Sequence, residues 1–501
     1  MYIFISDLHL TDGTFDYVDP NDKKNNVSHD ISVAAFKLFW DNINRIVKAN
    51  ENSIDEITLV LLGDILEMRS TTKWVESDYH EAGKRELKHR PWNENPDNPS
   101  ETCKKIIEDI LTHNEESLRY LNIHRLNDVD KESGLYQLAV ERNIKIRIDY
   151  VVGNHDRVIN FHKDDSLRKL ISDKLGWDLP SSTGSEPRRF KFLLKDENIG
   201  ISAQHGHFFD TIDFFEDPLS PPIGALLSDV FGRVMHHVKK SGNKELIKFC
   251  MNIDNVRPSS DRFVWILSNL PDDESSLNQL RSVLITIITE LKDDSKEILD
   301  FLSPRITPYM ARLKWYLKAF LGVAGIFTEK KKLFVKLMKK MVLKLVDDIE
   351  EKLHKPESEE PLHEILAEVG NKVSFLGDDK DKQKEKTGRD QDFHYFEAAL
   401  EEITTSEIDS PLKYVIYGHT HRYKLIPLIT MKETDKEKKT FYFNSGTWKR
   451  TVQKNKFPRN NAEFQNWERM TYINFFNAEA HEVKDHIFDL WHGNLKTKTQ
   501  N

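Results

Sequence analysis

The chain has 501 residues, of which 38% are hydrophobic and 31% charged, with a formal net charge of -9. This composition excludes global disorder and an overall basic footprint for nucleic acid. The length exceeds the size at which one hydrophobic core stops growing, so we expect more than one module.

The cysteine count and the lengths of the apolar runs restrict the cellular compartment in which we expect the chain. Only Cys103 and Cys250 are present, which excludes a disulfide framework and a cluster of thiolate ligands, and is typical of a reducing compartment. The N-terminus has neither a basic start nor a long apolar run, unlike a signal peptide. The longest uncharged apolar stretch, 319–328, is too short to cross a bilayer. We therefore predict a cytoplasmic protein with no transmembrane segment and no peripheral membrane contact.

Five short runs rich in apolar residues predict strands, and Gly, Asp, Asn or His follows each of them. The runs are residues 2–5, 57–62, 144–152, 199–203 and 414–417. Residues 32–49 have helical periodicity and would connect the first two runs. Ligands of open α/β sheets bind beyond the carboxyl ends of the strands, so the five polar ends predict one converging site.

Two long segments interrupt this series of strands. Residues 69–140 are polar and contain several prolines, and we expect them to elaborate the rim of the site. In 210–401 apolar residues recur at helical spacing, which predicts a largely helical inserted domain. Within it, 304–355 has 13 Lys or Arg against 5 Asp or Glu, and the highly charged 377–392 is predicted to be a mobile loop. The main domain would comprise 1–209 and 402–501.

The residues at the strand ends form motifs with metal-binding chemistry. Asp7 and His9 are two apart, so their side chains share one side of an extended chain and could hold one cation. An ionised Asp64 after an apolar strand is costly to bury unless a cation neutralises it. The amide oxygen of Asn154 and the imidazole nitrogens of the motif histidines complete a mixed set of oxygen and nitrogen donors, which suits Mn, Fe or Zn. Each motif alone is common in turns; the ordered set indicates a site. The motifs are Asp7-Leu-His9, Gly63-Asp64, Gly153-Asn154-His155-Asp156, His205-Gly-His207 and Gly418-His419-Thr420-His421.

This ordered series resembles the calcineurin-like metallophosphoesterase family. The resemblance implies an α/β (α+β) fold, a two-sheet β-sandwich flanked by helices. The largely helical insertion between the fourth and fifth motifs departs from compact members of the family. It also implies two divalent metal ions, Mn first and Fe or Zn as alternatives. One ion would be held by Asp7, His9 and His421, and the other by Asn154, His205 and His419. Asp64 would bridge them.

The resemblance further implies that the chain is a hydrolase. It would cleave a phosphoester bond with a metal-activated hydroxide, and we expect a phosphodiester or nucleotide-type substrate. His155 would protonate the leaving oxygen, and Asp156 would orient His155. His207, Arg157 and Arg422 are further candidates for contacts with substrate phosphate, although each is also explained as a residue of the rim or surface.

Three interpretations of 210–401 stay open. The first is a basic surface for nucleic acid, which would make the chain a nuclease acting on DNA or RNA. The second is an amphipathic surface for a lipid substrate; that branch of the family usually has Arg where this chain has His155. The third, which we favour, is a lid or a domain that docks a protein partner. A non-catalytic binding module that retains a metal site is the alternative from another class, and the complete set of ligand types argues against it.

Overall fold

The computed structural model describes most of the chain in two compact units. The first unit comprises Met1–Gly232, Tyr395–Val452 and Gln465–Asn501, and the second comprises Arg233–His394 and Gln453–Phe464. The divisions at 232 and 395 lie inside the segment 210–401. The described residues are 1–17, 27–50, 54–76, 90–94, 97, 99–122, 134–179, 188–210, 213–256, 265–266, 269, 271, 273–302, 384–405, 412–429, 439–454, 464–476 and 488–499.

Strands and helices alternate early in the chain, whereas helices prevail from 213 to 302. The strands are β1 Tyr2–Ile5, β2 Glu56–Leu62, β3 Lys145–Val151, β4 Leu193–Asp196, β5 Ile201–Gln204, β6 Tyr414–Tyr417, β7 Tyr423–Ile429, β8 Lys439–Ser445, β9 Arg450–Lys454, β10 Phe464–Phe475 and β11 Phe488–Thr499. The α-helices are α1 Val33–Ala49, α2 Lys73–Glu76, α3 Glu101–His113, α4 Glu115–Leu118, α5 Gly134–Tyr136, α6 Val158–Phe161, α7 Ser166–Leu175, α8 Ile223–Ser241, α9 Lys244–Asn255, α10 Glu274–Asp293, α11 Ser295–Leu302 and α12 Lys384–Thr405. Short 3-10 or π turns span Arg119–Leu121, Gln137–Glu141 and His207–Phe209.

The strands form two mixed sheets, so the chain has a mixed α/β fold. The first sheet has the order β11-β10-β1-β2-β3, with β9 beside β10, and β1, β2 and β3 are parallel. The second has the order β4-β5-β6-β8-β7, with β5, β6 and β8 parallel. The five predicted strands are confirmed as β1, β2, β3, β5 and β6. Their carboxyl ends lead directly into the five motifs.

Apolar side chains place helices outside the two sheets and a shared core between them. Phe4 and Val60 of the first sheet belong to one buried cluster with Ala203 and Ile416 of the second. On the far face of the first sheet, α1 buries residues at helical spacing, which are Ala35, Phe36, Phe39, Trp40, Ile43 and Val47. On the far face of the second sheet, Tyr395 and Ala399 of α12 join the cluster formed with that sheet. Burial of these side chains, which contributes about 25 cal/mol per Å² of apolar surface removed from water, holds the two sheets and their outer helices together.

The segment 69–140 does more than form a rim. Its helix α3 buries one apolar face, including Ile106 and Ile110, in the same core as α1. Ser100 begins this helix, because its hydroxyl oxygen accepts a hydrogen bond from the backbone N–H of Cys103. The polarity that indicated a rim belongs to the opposite, exposed face of the amphipathic helix.

The prediction that 377–392 form a mobile loop is wrong for the second half of this range, because α12 begins at Lys384. Lys, Glu, Gln and Arg are good helix formers, so a high density of charge does not distinguish a loop from a solvated helix. Residues 377–383 and the basic stretch 304–355 lie outside the described residues. In the described part of 213–302 the regular structure is helical. Among the helices that the structure describes, none combines the length and the apolar character needed to cross a membrane.

Candidate metal centre

Tight turns after the strands aim the motif side chains at one place. Asp7, His9, Asp64, His419 and His421 have backbone φ angles of 53°, 46°, 51°, 67° and 57°. Residues other than glycine rarely adopt this left-handed conformation, which costs about 1–3 kcal/mol each and persists where the surrounding structure enforces it. Such strain is concentrated at functional sites. Here it falls on five of the seven predicted metal ligands.

The first cluster comprises Asp7, His9 and His421, whose donor atoms converge. Nε2 of His421 lies 3.3 Å from Oδ1 of Asp7 and 3.0 Å from Nε2 of His9. Nδ1 of His9 donates to Oε2 of Glu67 at 2.8 Å, so the lone pair of Nε2 faces the other two residues. Burial lowers the pKa of His9, but hydrogen bonds to Asp7 and Glu67 and the charge of Asp64 raise it to about 9. A proton and a cation therefore compete for this nitrogen.

The second cluster comprises Asp64, His205 and His419. Nδ1 of His205 donates to the carbonyl oxygen of Leu62 at 2.9 Å, and Nε2 lies 3.1 Å from Oδ2 of Asp64. Burial lowers the pKa of His205, yet the charges of Asp64 and Asp7 raise it to about 10. Nε2 of His205 is thus directed at a strongly negative, solvent-excluded position.

Asp64 joins the two clusters. Its Oδ2 lies 3.6 Å from Nε2 of His9 in the first cluster and 3.1 Å from Nε2 of His205 in the second. Its Oδ1 accepts a hydrogen bond of 2.8 Å from the backbone N–H of His155. Burial would raise the pKa of Asp64, but the charges of His205, His155 and His9 hold it well below its usual range. An ionised carboxylate between two donor clusters is the geometry expected of a bridging ligand.

The described residues fit two divalent cations. Two ligands bound to one ion at 2.0–2.2 Å lie roughly 3.3–3.6 Å apart at tetrahedral angles. The donor atoms lie 3.0–3.8 Å apart in the first cluster, and Nε2 of His205 lies 3.1 Å from Oδ2 of Asp64 in the second, so small shifts of the side chains would admit a cation at each. The side-chain oxygen and nitrogen of Asn154 are buried without a hydrogen-bond partner, as is Nε2 of His205. Buried polar atoms are normally satisfied, so these atoms point to a ligand. Asn154 and His205 belong to the second predicted ligand set.

Close packing around the second cluster requires glycine at two positions. A Cβ atom on Gly63 would lie 2.4 Å from Cγ of His205, and one on Gly153 would lie 2.3 Å from Oδ1 of Asp64. Gly63 also has a φ of 84°. Any larger residue would displace the ligand side chains, so both glycines set the separation between the strand ends and the donors.

Glu67 is a functional residue that the sequence analysis missed. Its carboxylate accepts hydrogen bonds from Nδ1 of His9 at 2.8 Å, from Nδ1 of His155 at 2.7 Å and from the backbone N–H of Ser70 at 2.9 Å. Burial opposes its ionisation, but the charge of His155 and these hydrogen bonds hold the pKa well below its usual range. The detectable signal was a lone carboxylate among apolar neighbours, three residues after Asp64.

His155 lies at the edge of the centre, with 19% of its side chain exposed. Because Nδ1 donates to Glu67, Nε2 is the ring nitrogen that remains for a substrate. Burial lowers the pKa of His155, and the charges of Glu67 and Asp64 oppose this shift. The imidazole is therefore oriented by one carboxylate and close to the bridging one.

The prediction that Asp156 orients His155 is wrong. The carboxylate of Asp156 accepts hydrogen bonds from the backbone N–H groups of Gly153 at 2.6 Å and Ile65 at 2.9 Å, and from the hydroxyl of Tyr150 at 2.5 Å. It is turned away from the imidazole and towards the strand end. Asp156 therefore braces the loop that carries Asn154 and His155, and Glu67 provides the orienting contact.

The three predicted phosphate contacts lie in different environments. The Arg157 guanidinium donates to the carbonyl oxygens of Leu219 and Pro91 and is buried, so it joins segments of the protein, and Arg157 also lines a recess beside Asn154 and His155. His207 is also buried, and burial with the neighbouring His205 lowers its pKa well below the usual range, which keeps its ring neutral. Arg422 is partly exposed beside the ligand His421. Of the three, Arg422 has the most exposed side chain.

Two carboxylates from the segment after His207 also reach the centre, and the sequence analysis did not identify them. Oδ2 of Asp210 lies 3.5 Å from Nε2 of His419, and Oδ2 of Asp213 lies 3.9 Å from the same atom. Oδ1 of Asp213 also accepts a hydrogen bond of 2.9 Å from Arg69. At these distances the two carboxylates act on His419 through their charge. Asp210 and Asp213 thus contribute to the centre from inside the predicted insertion.

Comparisons with known proteins add no assignment. No protein-family model matches the chain, and no curated protein matches it. The function is therefore inferred from the geometry of the described residues.

Proposed function

We propose that this chain hydrolyses phosphoester bonds, of phosphodiester or nucleotide type, at a centre of two divalent cations. The observation that carries the proposal is the position of Asp64, whose Oδ2 lies within 3.6 Å of Nε2 of His9 and within 3.1 Å of Nε2 of His205. Two donor clusters that share one carboxylate can hold two cations close enough to clamp one phosphoryl group.

The ligand assignment follows the two clusters. Asp7, His9 and His421 would hold one cation, and Asn154, His205 and His419 the other. Asp64 would bridge them. Two bound cations would withdraw charge from the phosphoryl oxygens and supply a nucleophilic water, so no side chain has to form a covalent intermediate. Manganese is the first candidate, with iron or zinc as alternatives, because the donor set mixes imidazole nitrogen with carboxylate and amide oxygen.

His155 would transfer a proton to the leaving oxygen through Nε2. Glu67 fixes the tautomer by accepting from Nδ1, and its negative charge would stabilise the imidazolium form. A narrow recess adjoins His155 and Asn154 and is also lined by Met68, Trp74, Arg69 and Arg157. These two guanidinium groups would place positive charge beside the position of the leaving oxygen.

The fold supports the proposal in a second way. Helices outside two facing mixed sheets, with the site at the carboxyl ends of the strands, are the arrangement implied by the resemblance to calcineurin-like metallophosphoesterases. The nuclease alternative rests on the basic stretch 304–355, which lies outside the described residues, and it stays a prediction. A binding module without activity is the outcome that the following experiment must exclude.

The experiment is a substrate panel at fixed Mn²⁺ concentration, with the wild type and Asp64→Asn. The panel contains bis-p-nitrophenyl phosphate, p-nitrophenyl phosphate, cyclic nucleotides, nucleotide pyrophosphates, and single- and double-stranded DNA and RNA. Hydrolysis of a diester by the wild type and loss of it in Asp64→Asn would support the proposal. Cleavage of DNA with a steep dependence on salt would select the nuclease. A wild type that binds two cations and hydrolyses no ester would overturn the proposal.

A further inference from the structure

A second group of metal-binding side chains lies outside the centre described above. Glu94 follows a turn, Cys103 lies in the first helical turn of α3, and His162 follows α6. A carboxylate oxygen, the thiol sulfur and a ring nitrogen of these residues all lie within 4.8 Å of one another. All three side chains are buried, and Cys103 and His162 have no exposed surface.

The distance between the nitrogen and the oxygen donor of this group is compatible with two ligands of a common ion. Nε2 of His162 lies 3.5 Å from Oε2 of Glu94. An N–H···O hydrogen bond is shorter, at about 2.7–3.2 Å. Two ligands that bind one zinc ion at about 2.0–2.1 Å lie roughly 3.3–3.5 Å apart. The pair Nε2 of His421 and Oδ1 of Asp7, at 3.3 Å, has the same spacing in the candidate metal centre.

Ser100 positions two members of the group at once. Its hydroxyl donates to Oε1 of Glu94 at 2.7 Å, and the same oxygen accepts from the backbone N–H of Cys103 at 3.0 Å. Outer hydrogen bonds of this kind orient the ligands of metal sites. The backbone N–H of Ser100 also donates to Oε2 of Glu94 at 3.3 Å, the oxygen that lies 3.5 Å from Nε2 of His162. Ser100 therefore holds the whole carboxylate and fixes the start of α3, which carries the thiol.

Charge also favours a cation at this position. A thiolate, a carboxylate and a neutral imidazole carry two negative charges, which one divalent cation would neutralise in a position closed to solvent. Burial and the charge of Glu94 raise the pKa of the Cys103 thiol, so the thiol keeps its proton until a bound cation displaces it. Arg157 lies near the thiol, but its guanidinium donates to the carbonyl oxygens of Leu219 and Pro91.

We propose that Glu94, Cys103 and His162 form a third metal site, which binds a single zinc ion. The sulfur donor selects a thiophilic cation such as zinc over manganese or magnesium. The ion would tie the turn at 90–94 to α3 and to the end of α6, three segments next to the loop that carries Asn154 and His155. Its role is structural, and the inference does not depend on phosphoester hydrolysis.

The test uses cobalt as a spectroscopic substitute for zinc in the full-length protein. The dinuclear ligand set has only nitrogen and oxygen donors, so a sulfur-to-cobalt charge-transfer band in the near ultraviolet reports a cysteine ligand. We expect the band in the wild type, its loss in Cys103→Ser, and its retention in Cys250→Ser. Cys250 is the matched control, because it is equally buried. Zinc analysis should give one equivalent fewer in Cys103→Ser than in Cys250→Ser.

Two results would overturn this site: no charge-transfer band in cobalt-saturated wild type, or a band that persists in Cys103→Ser. If Cys103→Ser does not fold, zinc X-ray absorption on the wild type replaces it. A sulfur neighbour at about 2.3 Å from zinc is then expected, and scattering from nitrogen and oxygen alone contradicts the site. Both measurements are independent of activity, so failure of the phosphoesterase proposal would leave them interpretable.

Discussion

The carboxylate of Glu67 holds His155 through a 2.7 Å hydrogen bond from Nδ1. Its other oxygen accepts from Nδ1 of His9 at 2.8 Å. One buried carboxylate therefore fixes both a predicted metal ligand and the predicted proton donor. In the proposed reaction, Glu67 therefore links the position of the metal ligand His9 to that of the proton donor His155.

We predict that Glu67→Gln lowers turnover by about 10–100-fold, the usual effect of removing an outer partner of a metal-binding histidine. The amide keeps the shape of the side chain but removes the charge that orients both imidazoles. Steady-state kinetics on a diester with saturating Mn²⁺ would measure the loss. Glu101→Gln is the control, because the side chain of Glu101 is 91% exposed. Wild-type turnover in Glu67→Gln would contradict the assigned role.

We predict that His155→Ala keeps two bound cations but loses about 10²–10⁴-fold in turnover, the range typical of general acid catalysis. The side chain belongs to neither of the two proposed ligand sets, although it lies close to His9 and Glu67, so metal analysis should give the wild-type ratio. His394→Ala, which changes an exposed histidine, should leave both quantities unchanged. Full activity in His155→Ala would rule out its role in proton transfer, and loss of metal would reassign it to the ligand set.

The sequence was sufficient to predict the strands that end in the motifs, because apolar runs and the polar residues after them are local patterns. The residues that converge in the two clusters were predictable for the same reason. The partners of these residues were not. Asp156 adjoins His155 in the chain but turns towards Tyr150, whereas Glu67 lies 88 residues away and makes the contact. Which carboxylate faces an imidazole depends on how separate loops pack, and periodicity does not report that.

The contribution of Asp213 gives a prediction for the second cluster. Asp213→Asn should weaken binding of one of the two cations by about 10–100-fold, because the variant loses the charge beside His419 and the ion pair with Arg69. Isothermal titration calorimetry of the metal-free protein with Mn²⁺ would resolve the two binding events. Glu216→Gln changes an exposed acidic neighbour and is the control. Two unchanged affinities in Asp213→Asn would contradict this contribution.

Removal of metal should destabilise the first unit. Asp7 and Asp64 are almost completely buried and face each other across His9, so their negative charges lose compensation when the cations leave. Binding to the folded state alone stabilises by about 2.7 kcal/mol when the free ion is at 100 times its Kd. We expect saturating Mn²⁺ to raise the Tm of the metal-free wild type and to change that of metal-free Asp64→Asn much less. Equal shifts in the two proteins would place the stabilising ions elsewhere.

His492 predicts a pH dependence that is separate from the metal centre. Its ring lies on β11, stacks on Tyr423 with centroids 3.8 Å apart, and places Nδ1 at 2.8 Å from the hydroxyl of Thr471. Burial and the charge of Arg469 lower the pKa of His492 from 6.5 to about 4. Protonation of His492 is therefore less favourable in the folded state than in the unfolded state, where its pKa is 6.5.

Because the unfolded state binds more protons between the two pKa values, the contribution of His492 is fully present above pH 6.5 and is lost as the pH falls towards about 4. His492→Phe keeps an aromatic ring on Tyr423 but removes the titration. We expect the free energy of unfolding, from urea denaturation at several pH values, to fall less steeply over this range in the variant than in the wild type. Carboxylates that titrate in the same range affect both proteins equally, so the difference between the slopes isolates His492. Parallel slopes would show that its pKa is the same in both states.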